Sequence, residues 1–521
     1  MLMSLFPVAP AFVRRRGLLA LAGLLPFTPA LAADARPLQI VGPWEITGLQ
    51  PAQSGFVFSR LQVAETLVGA DERGALRPAL AQRWQVSADG LTWRFELRPG
   101  ARFHDGSPVT AAAVLRSLQP ARVAPGLLSS APIVAMEAEG DTVLRIRLKA
   151  RHAALPALLA HPSTLVLAPA AFDAAGRVQS ILGSGPYRIT RLQPPQQVET
   201  AVFEGWNGGP PPQIRRVAHL AAGRAETRAL MIESGQADLA YGLDPASLQR
   251  LRQRPALRVQ TVMLPRTVYL KLNAGLPALA DVRVRRALSL LIDRAGIARA
   301  LLRDPGLAAT QLLPPSLGEW HDPALAPLRH DPAAAQQLLA QAGWRRGADG
   351  RLQDGRGQAL TLQLRTFPDR PELPPLATAL QAQWRQAGIA LEVSVGNAGD
   401  IPLGHRDGRL QIGLGARNYA STPDPVGTLR QDFGPGGGDW GAMGWQNADV
   451  GVALDTLARL GPEAPRAAEL RRRVVAVLHD ELPVIPISWY RQQLAVGARV
   501  DGVILDPLEL SYRLDAMRWR A

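Results

Sequence analysis

Strict alternation of apolar and polar residues predicts several half-buried strands. In TWRFELR, residues 92–98, the aromatic and aliphatic side chains face one way and the charged side chains face the other. The segments VLRIRLK at 143–149 and IALEVSV at 389–395 follow the same period of two. Strands with this pattern pack one face against a core and leave the other face to water.

Capping residues mark the predicted helices. In DPAAAQQLLAQAGW, Asp331 stands at the N-cap, Pro332 in the first turn, and Gly343 just past the end. The segment ETRALMIESGQADLAYGL predicts another helix, which ends at Gly235 and leads into a short apolar strand near Leu239. The chain therefore mixes helices and strands, which is typical of an α/β protein.

The second half of the chain predicts a βαβ unit. A strand at 360–366 precedes a helix at 373–388, and the strand patterns IALEVSV and GRLQIGL follow. This succession predicts helices packed on a largely parallel or mixed sheet. Because the earlier half has apolar residues of its own, we predict two α/β lobes that divide near residues 263–279. A C-terminal strand at 482–488 is expected to cross back to the first lobe.

The N-terminus has the organisation of a secretory signal peptide, residues 1–33. Three arginines at 14–16 precede an apolar stretch from Gly17, and Ala-Leu-Ala stands just before Ala33. The apolar stretch falls short of the roughly 20 residues that span a bilayer, which disfavours a permanent anchor. The twin-arginine route and the general secretory route both remain open. Since no cysteine is present to carry a lipid, we expect a soluble periplasmic protein.

Composition excludes several other classes of protein. Without any cysteine, the chain has neither a disulfide framework nor a thiolate metal site. The formal charge of +14 comes from arginines scattered along the whole length, so they do not form the basic patch of a nucleic-acid-binding protein. The length after the signal peptide, about 488 residues, suggests two to four domains.

Local motifs give no sign of an enzyme. The eight histidines lack the spacing of a zinc protease, and GSGPY at 183–187 lacks that of a nucleophile elbow. Glycines 436, 438 and 441 fit the dinucleotide motif formally, but no predicted strand precedes them. Spacing cannot reveal a pair of catalytic carboxylates, so an exported hydrolase stays an alternative. The main hypothesis is a binding protein, without cofactor, whose lobes close on a solute.

Five blocks of sequence, in order, resemble the family 5 extracellular solute-binding proteins, the peptide- and nickel-binding components of ABC importers. The longest block covers residues 65–114, and the others are GSGPYRITRL, MIESGQADLAYG, DVRVRRALSLLIDR and AAAQQLLAQAGW. The resemblance implies a two-lobed periplasmic binding protein of class II with an extra subdomain in the first lobe. It also implies a small-molecule solute in the cleft, and a membrane permease and an ATPase as partners. We expect the receptor to act as a monomer.

The resemblance and the strand patterns together suggest domain limits. The first lobe is expected at residues 34–265, with the inserted subdomain near 75–180. The second lobe is expected at 266–485, and residues 486–521 should return to the first lobe.

The segment from Gly415 to Trp445 is the candidate ligand-binding region. Its glycines and prolines predict an irregular loop rather than a helix or strand. The resemblance implies that this stretch contacts the ligand from the second lobe. The predicted ligand-binding residues are Arg417, Asn418, Tyr419, Ser421 and Trp440.

The same segment bears on the identity of the solute. Peptide-binding members of the family hold the peptide ammonium with an aspartate, where this chain has Ser421, three residues before Asp424. The segments ARNYASTPDP and LHDELPVIPISWY resemble the nickel-binding branch, whose members hold a chelated metal with arginines and aromatic rings. Arg417 would then form a forked pair with a carboxylate of the chelator. A metal chelate is the first hypothesis and an oligopeptide or modified peptide the second, with no residue assigned to the metal itself.

Several side chains of this segment also have a structural interpretation. Tyr419 and Trp440 have core packing as the alternative to lining the cleft. Trp445 is expected to pack in a core. Asp424 is expected to cap the turn that follows it.

Overall fold

A ten-stranded mixed sheet runs through the molecule and belongs to both lobes. Residues 37–521 form one compact unit in this computed structural model. The predicted signal peptide, residues 1–33, lies outside the described residues. The structure describes residues 36–123, 127–435, 437–461 and 464–520, without the side chains of residues 52–54.

Helices and strands are interspersed along the described residues. The strands are β1 (Leu38–Gly42), β2 (Val68–Ala70), β3 (Leu76–Pro78), β4 (Ala81–Val86), β5 (Thr92–Leu97), β6 (Ile133–Glu139), β7 (Val143–Leu148), β8 (Tyr187–Gln193), β9 (Gln197–Val202), β10 (Arg216–Ala221), β11 (Leu239–Tyr241), β12 (Leu257–Leu272), β13 (Arg345–Arg346), β14 (Leu352–Gln353), β15 (Thr361–Thr366), β16 (Ala390–Val395), β17 (Ile412–Asn418), β18 (Val484–Gly497), β19 (Val500–Asp501) and β20 (Arg518–Trp519). The helices are α1 (Pro51–Arg60), α2 (Ala111–Val123), α3 (Leu155–Leu158), α4 (Ala225–Glu233), α5 (Pro245–Arg252), α6 (Pro277–Ala280), α7 (Val282–Leu290), α8 (Arg294–Ala300), α9 (Pro332–Gln341), α10 (Leu373–Gln386), α11 (Asp400–Arg406), α12 (Val426–Phe433), α13 (Ala448–Leu460) and α14 (Ala467–Glu481). In the part of the chain that is described, no helix is both long and apolar enough to span a bilayer.

Two long strands connect the halves of the large sheet, whose order is β16-β15-β17-β12-β18-β11-β1-β10-β9-β8. On one side β1 runs parallel to β10 and β11, and on the other β15 runs parallel to β16 and β17. Between them lie β12 with 16 residues and β18 with 14, which are antiparallel to each other. Their pairing shifts register between Leu264 and Thr267. The segment predicted to divide the lobes is therefore largely a continuous strand.

Buried apolar side chains form separate clusters on either side of the crossing strands. Two clusters take all their buried members from residues 268–487, and we call this part the second lobe. Three clusters take theirs from residues 38–251 and 494–517, and we call this part the first lobe. The limits predicted at residues 265 and 486 lie close to this separation and stay a prediction.

A four-stranded antiparallel sheet, β4-β5-β7-β6, packs on a cluster of its own within the first lobe. In β5 buried residues alternate with half-buried ones, because every second side chain faces this cluster. The buried members of the cluster come from residues 67–168. The inserted subdomain expected near 75–180 overlaps this region, and its limits stay a prediction.

The strongest local predictions are confirmed. The Asp331 carboxylate accepts a hydrogen bond from the Ala334 amide at 2.9 Å and caps α9. Gly343, just past the end of this helix, has a φ of 90°, which glycine adopts without steric cost. The predicted βαβ unit is present as β15, α10 and β16, with the two strands parallel.

The prediction of an irregular loop from Gly415 to Trp445 is wrong for two stretches. β17 extends to Asn418, and α12 covers Val426–Phe433. Pro425 and Gly434 stand at the two ends of α12. These positions are compatible with a helix between them, so the two residues that suggested a loop mark helix ends instead.

Candidate ligand-binding cavity

A cavity of about 280 Å³ lies where the two lobes meet the crossing strands. Its walls include Trp44, Gly242 and Phe367, which follow the carboxyl ends of β1, β11 and β15. Arg266 on β12 and Ser488 on β18 belong to its floor. In open α/β sheets, ligands bind at the carboxyl ends of the strands. The position is therefore that of a ligand site between the lobes.

Aromatic rings cover much of the cavity wall. Trp44 comes from the first lobe, Trp440 from the second lobe, and Trp489 and Tyr490 from β18. Trp440 meets Phe367 edge to face, with ring centroids 6.1 Å apart. Flat rings contributed by both lobes favour a ligand with an apolar or conjugated body.

Four buried polar atoms of the cavity lining have no hydrogen-bond partner among the described residues. They are Arg266 Nε, Glu372 Oε1, Ser488 Oγ and Gln493 Oε1. A buried donor or acceptor without a partner costs about 1–3 kcal/mol. The guanidinium nitrogen donates, the carboxylate and amide oxygens accept, and the hydroxyl does either. The residues that line the cavity therefore carry both donors and acceptors that other protein groups do not use.

Arg370 carries a positive charge that the protein itself does not neutralise directly. Its guanidinium lies 5.3 Å from the centre of the Tyr490 ring. No ion pair within 4.0 Å joins it to a carboxylate of the described residues. Burial lowers the pKa of Arg370, but Tyr490, Glu372 and Glu509 outweigh this effect and raise it. A guanidinium in this state is suited to a forked pair with a carboxylate.

Glu509 connects the floor of the cavity to both lobes. Arg60 on α1 donates to its main-chain oxygen at 2.9 Å and to its carboxylate at 3.4 Å. Arg266 pairs with the same carboxylate, and Asn418 at the end of β17 donates to it at 3.1 Å. Burial would raise the pKa of Glu509, but Arg266, Arg60 and Arg370 lower it to about 2. The carboxylate is therefore ionised at neutral pH.

The structure places the predicted ligand-binding residues in different surroundings. Trp440 lines the cavity. The Arg417 guanidinium forms a forked ion pair with the buried Asp432, at 2.7 and 2.8 Å, and also donates to Gln431 at 3.1 Å. Tyr419 is 1% exposed and packs in an apolar cluster of the second lobe. Tyr419 therefore lies where the alternative interpretation, core packing, places it.

Asn418 and Ser421 also bond to other protein groups. Asn418 donates to Glu509, and Ser421 Oγ lies 2.9 Å from Thr428 Oγ1. Neither residue is part of the cavity lining described above. The assignment of the five residues as ligand contacts stays a prediction, with Trp440 in the most favourable place.

Two structural roles expected in the same segment are confirmed. Trp445 is 6% exposed, and its ring meets Phe433 edge to face with centroids 6.4 Å apart. Asp424 accepts a hydrogen bond from the Val426 amide at 3.0 Å, which closes the turn that leads into α12. Both side chains hold the segment in place rather than face the cavity.

The charged residues of the cavity were missed by the sequence analysis. Arg370 and Glu372 lie in FPDRPELPP, directly after the carboxyl end of β15. Arg266 lies in the segment that was interpreted only as a lobe boundary. A signal for the first two residues existed, because polar side chains after a predicted parallel strand mark the ligand edge of a sheet.

Among the described residues, no three side chains of His, Cys, Asp or Glu lie close enough together to bind a metal ion. His219 is buried and His161 is half-buried, and desolvation lowers the pKa of each to about 4. Both imidazoles are therefore neutral at pH 7.

Comparison with known families identifies the chain. The sequence profile described as "Bacterial extracellular solute-binding proteins, family 5 Middle" matches residues 75–440, well over half of the chain. The chain belongs to this family. The family 5 resemblance of the sequence blocks is thereby confirmed. As a family 5 protein, the chain is an exported solute-binding protein and not an enzyme, and the hydrolase alternative falls.

Relatives within family 5 bind different solutes. The nickel-binding periplasmic protein of Escherichia coli K12 is 28% identical over 506 residues, which cover 92% of this chain and 95% of the relative. The glutathione-binding protein GsiB of Escherichia coli O1:K1 is 27% identical over 400 residues, with 74% and 75% covered. NikA from Staphylococcus aureus, solved in complex with Ni(L-His)₂, matches with a TM-score of 0.81 at 21% identity, covering 93% of this chain and 100% of that one. These similarities confirm the two-lobed periplasmic-binding-protein fold.

Proposed function

We propose that this family 5 protein captures a small carboxylate-bearing solute in the cavity between its lobes. The solute is a metal chelate or a peptide-like molecule, and the protein delivers it to an ABC permease and its ATPase. The observation that carries the proposal is a cavity lined by both lobes, with buried polar atoms on Arg266 and Glu372 that have no partner among the described residues, and with an Arg370 that forms no ion pair there. Action as a monomer in the periplasm, after export by either route, belongs to the same proposal.

The charges of the cavity define the chemistry of the solute. Arg370 and the free Nε of Arg266 suit carboxylate oxygens, which are also the groups by which small chelators hold metals. Glu372 and Gln493 present free oxygens that suit ammonium or amide N–H groups. A solute with carboxylates and nitrogen donors on one compact body satisfies both sets of contacts.

Relatives support the two solute classes without separating them. One relative is a nickel-binding protein, another is a glutathione-binding protein, and NikA from Staphylococcus aureus holds nickel as a complex with histidine. Metal chelates and peptides both combine carboxylates with nitrogen. The metal chelate remains the first hypothesis, because Ser421 stands where peptide-binding members of the family have an aspartate. For a peptide-like solute, Glu372 would supply the missing partner of the ammonium group.

The solute class can be tested on protein purified from its own periplasm. Native mass spectrometry gives the mass of any retained molecule, and elemental analysis shows whether it contains a metal. Calorimetric titration of the ligand-free protein with Ni(L-His)₂, glutathione and the dipeptide Met-Leu then ranks the two classes. Saturable binding of at least one of these without chemical change supports the proposal. A protein that retains nothing and binds none of them contradicts it.

The substitution Arg370→Ala is expected to weaken binding of the captured solute by at least about thirtyfold, because truncating one partner of a buried charge pair costs 2 kcal/mol or more. Arg370 has no ion pair to lose among the described residues, although Tyr490, Glu372 and Glu509 favour its charge, so the melting temperature of the ligand-free protein should fall only slightly. Calorimetry and thermal unfolding check the two expectations. Arg365→Ala, on an exposed position of β15, is the control and should leave affinity unchanged. Equal affinity in Arg370→Ala and Arg365→Ala would contradict the assignment.

A further inference from the structure

Lys271 is a buried lysine in a chain that uses arginine almost everywhere else. The sequence has 58 basic residues of these two types, and the other lysine is Lys149. Lys271 lies on β12 and is 1% exposed. Its ammonium donates to the main-chain oxygens of Gly438 at 2.8 Å and Gly441 at 2.5 Å. The side chain is therefore directed at the glycine-rich segment.

The same segment carries Trp440, which lines the ligand cavity. The Tyr269 hydroxyl, two residues before Lys271 on β12, donates to the main-chain oxygen of Trp440. Together, these two side chains hold three carbonyl groups between residues 438 and 441. β12 thus fixes the backbone on both sides of a ring that forms part of the cavity wall.

The glycines explain why the segment needs such contacts. A Cβ atom at Gly438 would lie against the main-chain oxygen of Gln431, and one at Gly441 against the main chain of Asp432. Glycine allows this close approach of two backbones. Glycines have no side chains with which to anchor themselves, so donors from β12 supply the anchoring. An ammonium is a compact donor that can serve two carbonyl groups at once, whereas a planar guanidinium is larger and less adaptable.

We propose that Lys271 is a positioning residue of the ligand cavity, which holds residues 437–441 so that the Trp440 ring stays on the cavity wall. The role rests on the proposed function, in which this cavity receives the solute. Lys271 does not touch the solute itself. Its contribution is to keep the wall in place before the solute arrives, which lowers the cost of ordering on binding.

The charges around Lys271 give the proposal a pH signature. The groups that face it are Asp432 at the end of α12, Asp439 in the held segment, Arg417 on β17 and His405 on α11. Burial lowers the pKa of Lys271 to about 7, although Asp432 and Asp439 oppose this effect. Below that pH the charged ammonium makes strong bonds to the carbonyl groups. Above it the neutral amine has one N–H fewer and bonds more weakly.

The test uses the ligand-free full-length protein and the variants Lys271→Met and Lys149→Met. Hydrogen exchange of the amides in residues 437–444 measures the anchoring, and emission of Trp440, identified by comparison with Trp440→Phe, reports its surroundings. Both quantities are measured from about pH 5.5 to about pH 9. This interval includes the ordinary pKa of histidine and the lowered pKa of Lys271. The wild-type protein should show a transition near pH 7. Lys271→Met should lack the transition and exchange about tenfold faster at low pH, while exposed Lys149→Met behaves as wild type.

The variant His405→Asn separates the two groups that titrate in this range, and it should keep the transition. The inference is overturned if Lys271→Met retains wild-type exchange and the transition, or if His405→Asn abolishes the transition. If Lys271→Met does not fold, the other two proteins decide the question. A transition near pH 7 in both the wild type and His405→Asn supports the inference, and its absence from either overturns it. Affinity for Ni(L-His)₂ should also fall about tenfold in Lys271→Met, and loosening of the segment at unchanged affinity would contradict the role at the cavity. If the wild type binds no solute, the proposed function fails while the anchoring result still stands.

Discussion

Glu509→Gln is expected to lower the free energy of unfolding by about 3–5 kcal/mol, because it removes the counter-charge of buried guanidinium groups. Arg60 and Arg266 are 7% and 5% exposed, and both pair with the Glu509 carboxylate. Glutamine keeps the shape of the side chain but leaves two positive charges without compensation in a region that water barely reaches. Urea-induced unfolding at neutral pH measures the loss.

A matched control is Glu137→Gln, in which the original glutamate also bridges two arginines, Arg145 and Arg147, but on a more exposed sheet. Water screens this pair, so no measurable loss of stability is expected. Equal losses of unfolding free energy in the two variants would contradict the claim that the buried ion pairs of Glu509 stabilise the fold.

The same substitution should change the response to acid. The pKa of Glu509 is about 2 in the folded protein, below the ordinary value of 4.5 that applies to the unfolded chain. A carboxylate whose pKa is lowered on folding stabilises the fold at pH values above its ordinary pKa. This stabilisation is lost as the pH falls from about 4.5 to about 2. Unfolding free energies of the wild type should therefore fall more steeply over this range than those of Glu509→Gln. Parallel curves would contradict the assignment.

The second large effect is expected for Arg417→Ala, at about 3–5 kcal/mol of stability, because it leaves the carboxylate of Asp432 buried without its partner. Asp432 is 1% exposed, and Arg417 is its forked partner at 2.7 and 2.8 Å. Adding Asp432→Asn to this variant should recover part of the loss, since the amide carries no charge. Thermal and urea unfolding of the single and double variants check this.

This expectation also decides between two roles of Arg417. A structural ion pair predicts a lower melting temperature and, at most, a modest change in solute affinity. Unchanged stability with abolished binding would show instead that Arg417 leaves Asp432 to meet the solute. That result would restore the ligand contact predicted from the sequence.

Local features of the fold could be predicted from sequence because short-range physics determines them. The alternation in residues 92–98 specifies one buried face, and β5 shows it. The Asp331 side chain caps α9 because it accepts a hydrogen bond from the amide of Ala334, only three residues further along the chain. Two lobes could be predicted because each half of the chain has enough apolar residues to form a core of its own.

The cavity could not be predicted to the same extent because its residues meet only in three dimensions. Arg266, Arg370 and Tyr490 come from three distant segments, and no spacing in the sequence relates them. Arg417 looked available for a ligand because its partner, Asp432, stands on a helix hidden among prolines and glycines. Charge compensation between distant segments decides which arginine is free, and this information is absent from local patterns.

The most direct test of the central claim is a crystal structure of the protein purified together with its native solute. We expect density for the solute in the cavity between Trp44 and Trp440, with a carboxylate in hydrogen-bonding distance of Arg370 or of Arg266 Nε. A solute bound elsewhere, with this cavity left to solvent, would contradict the account.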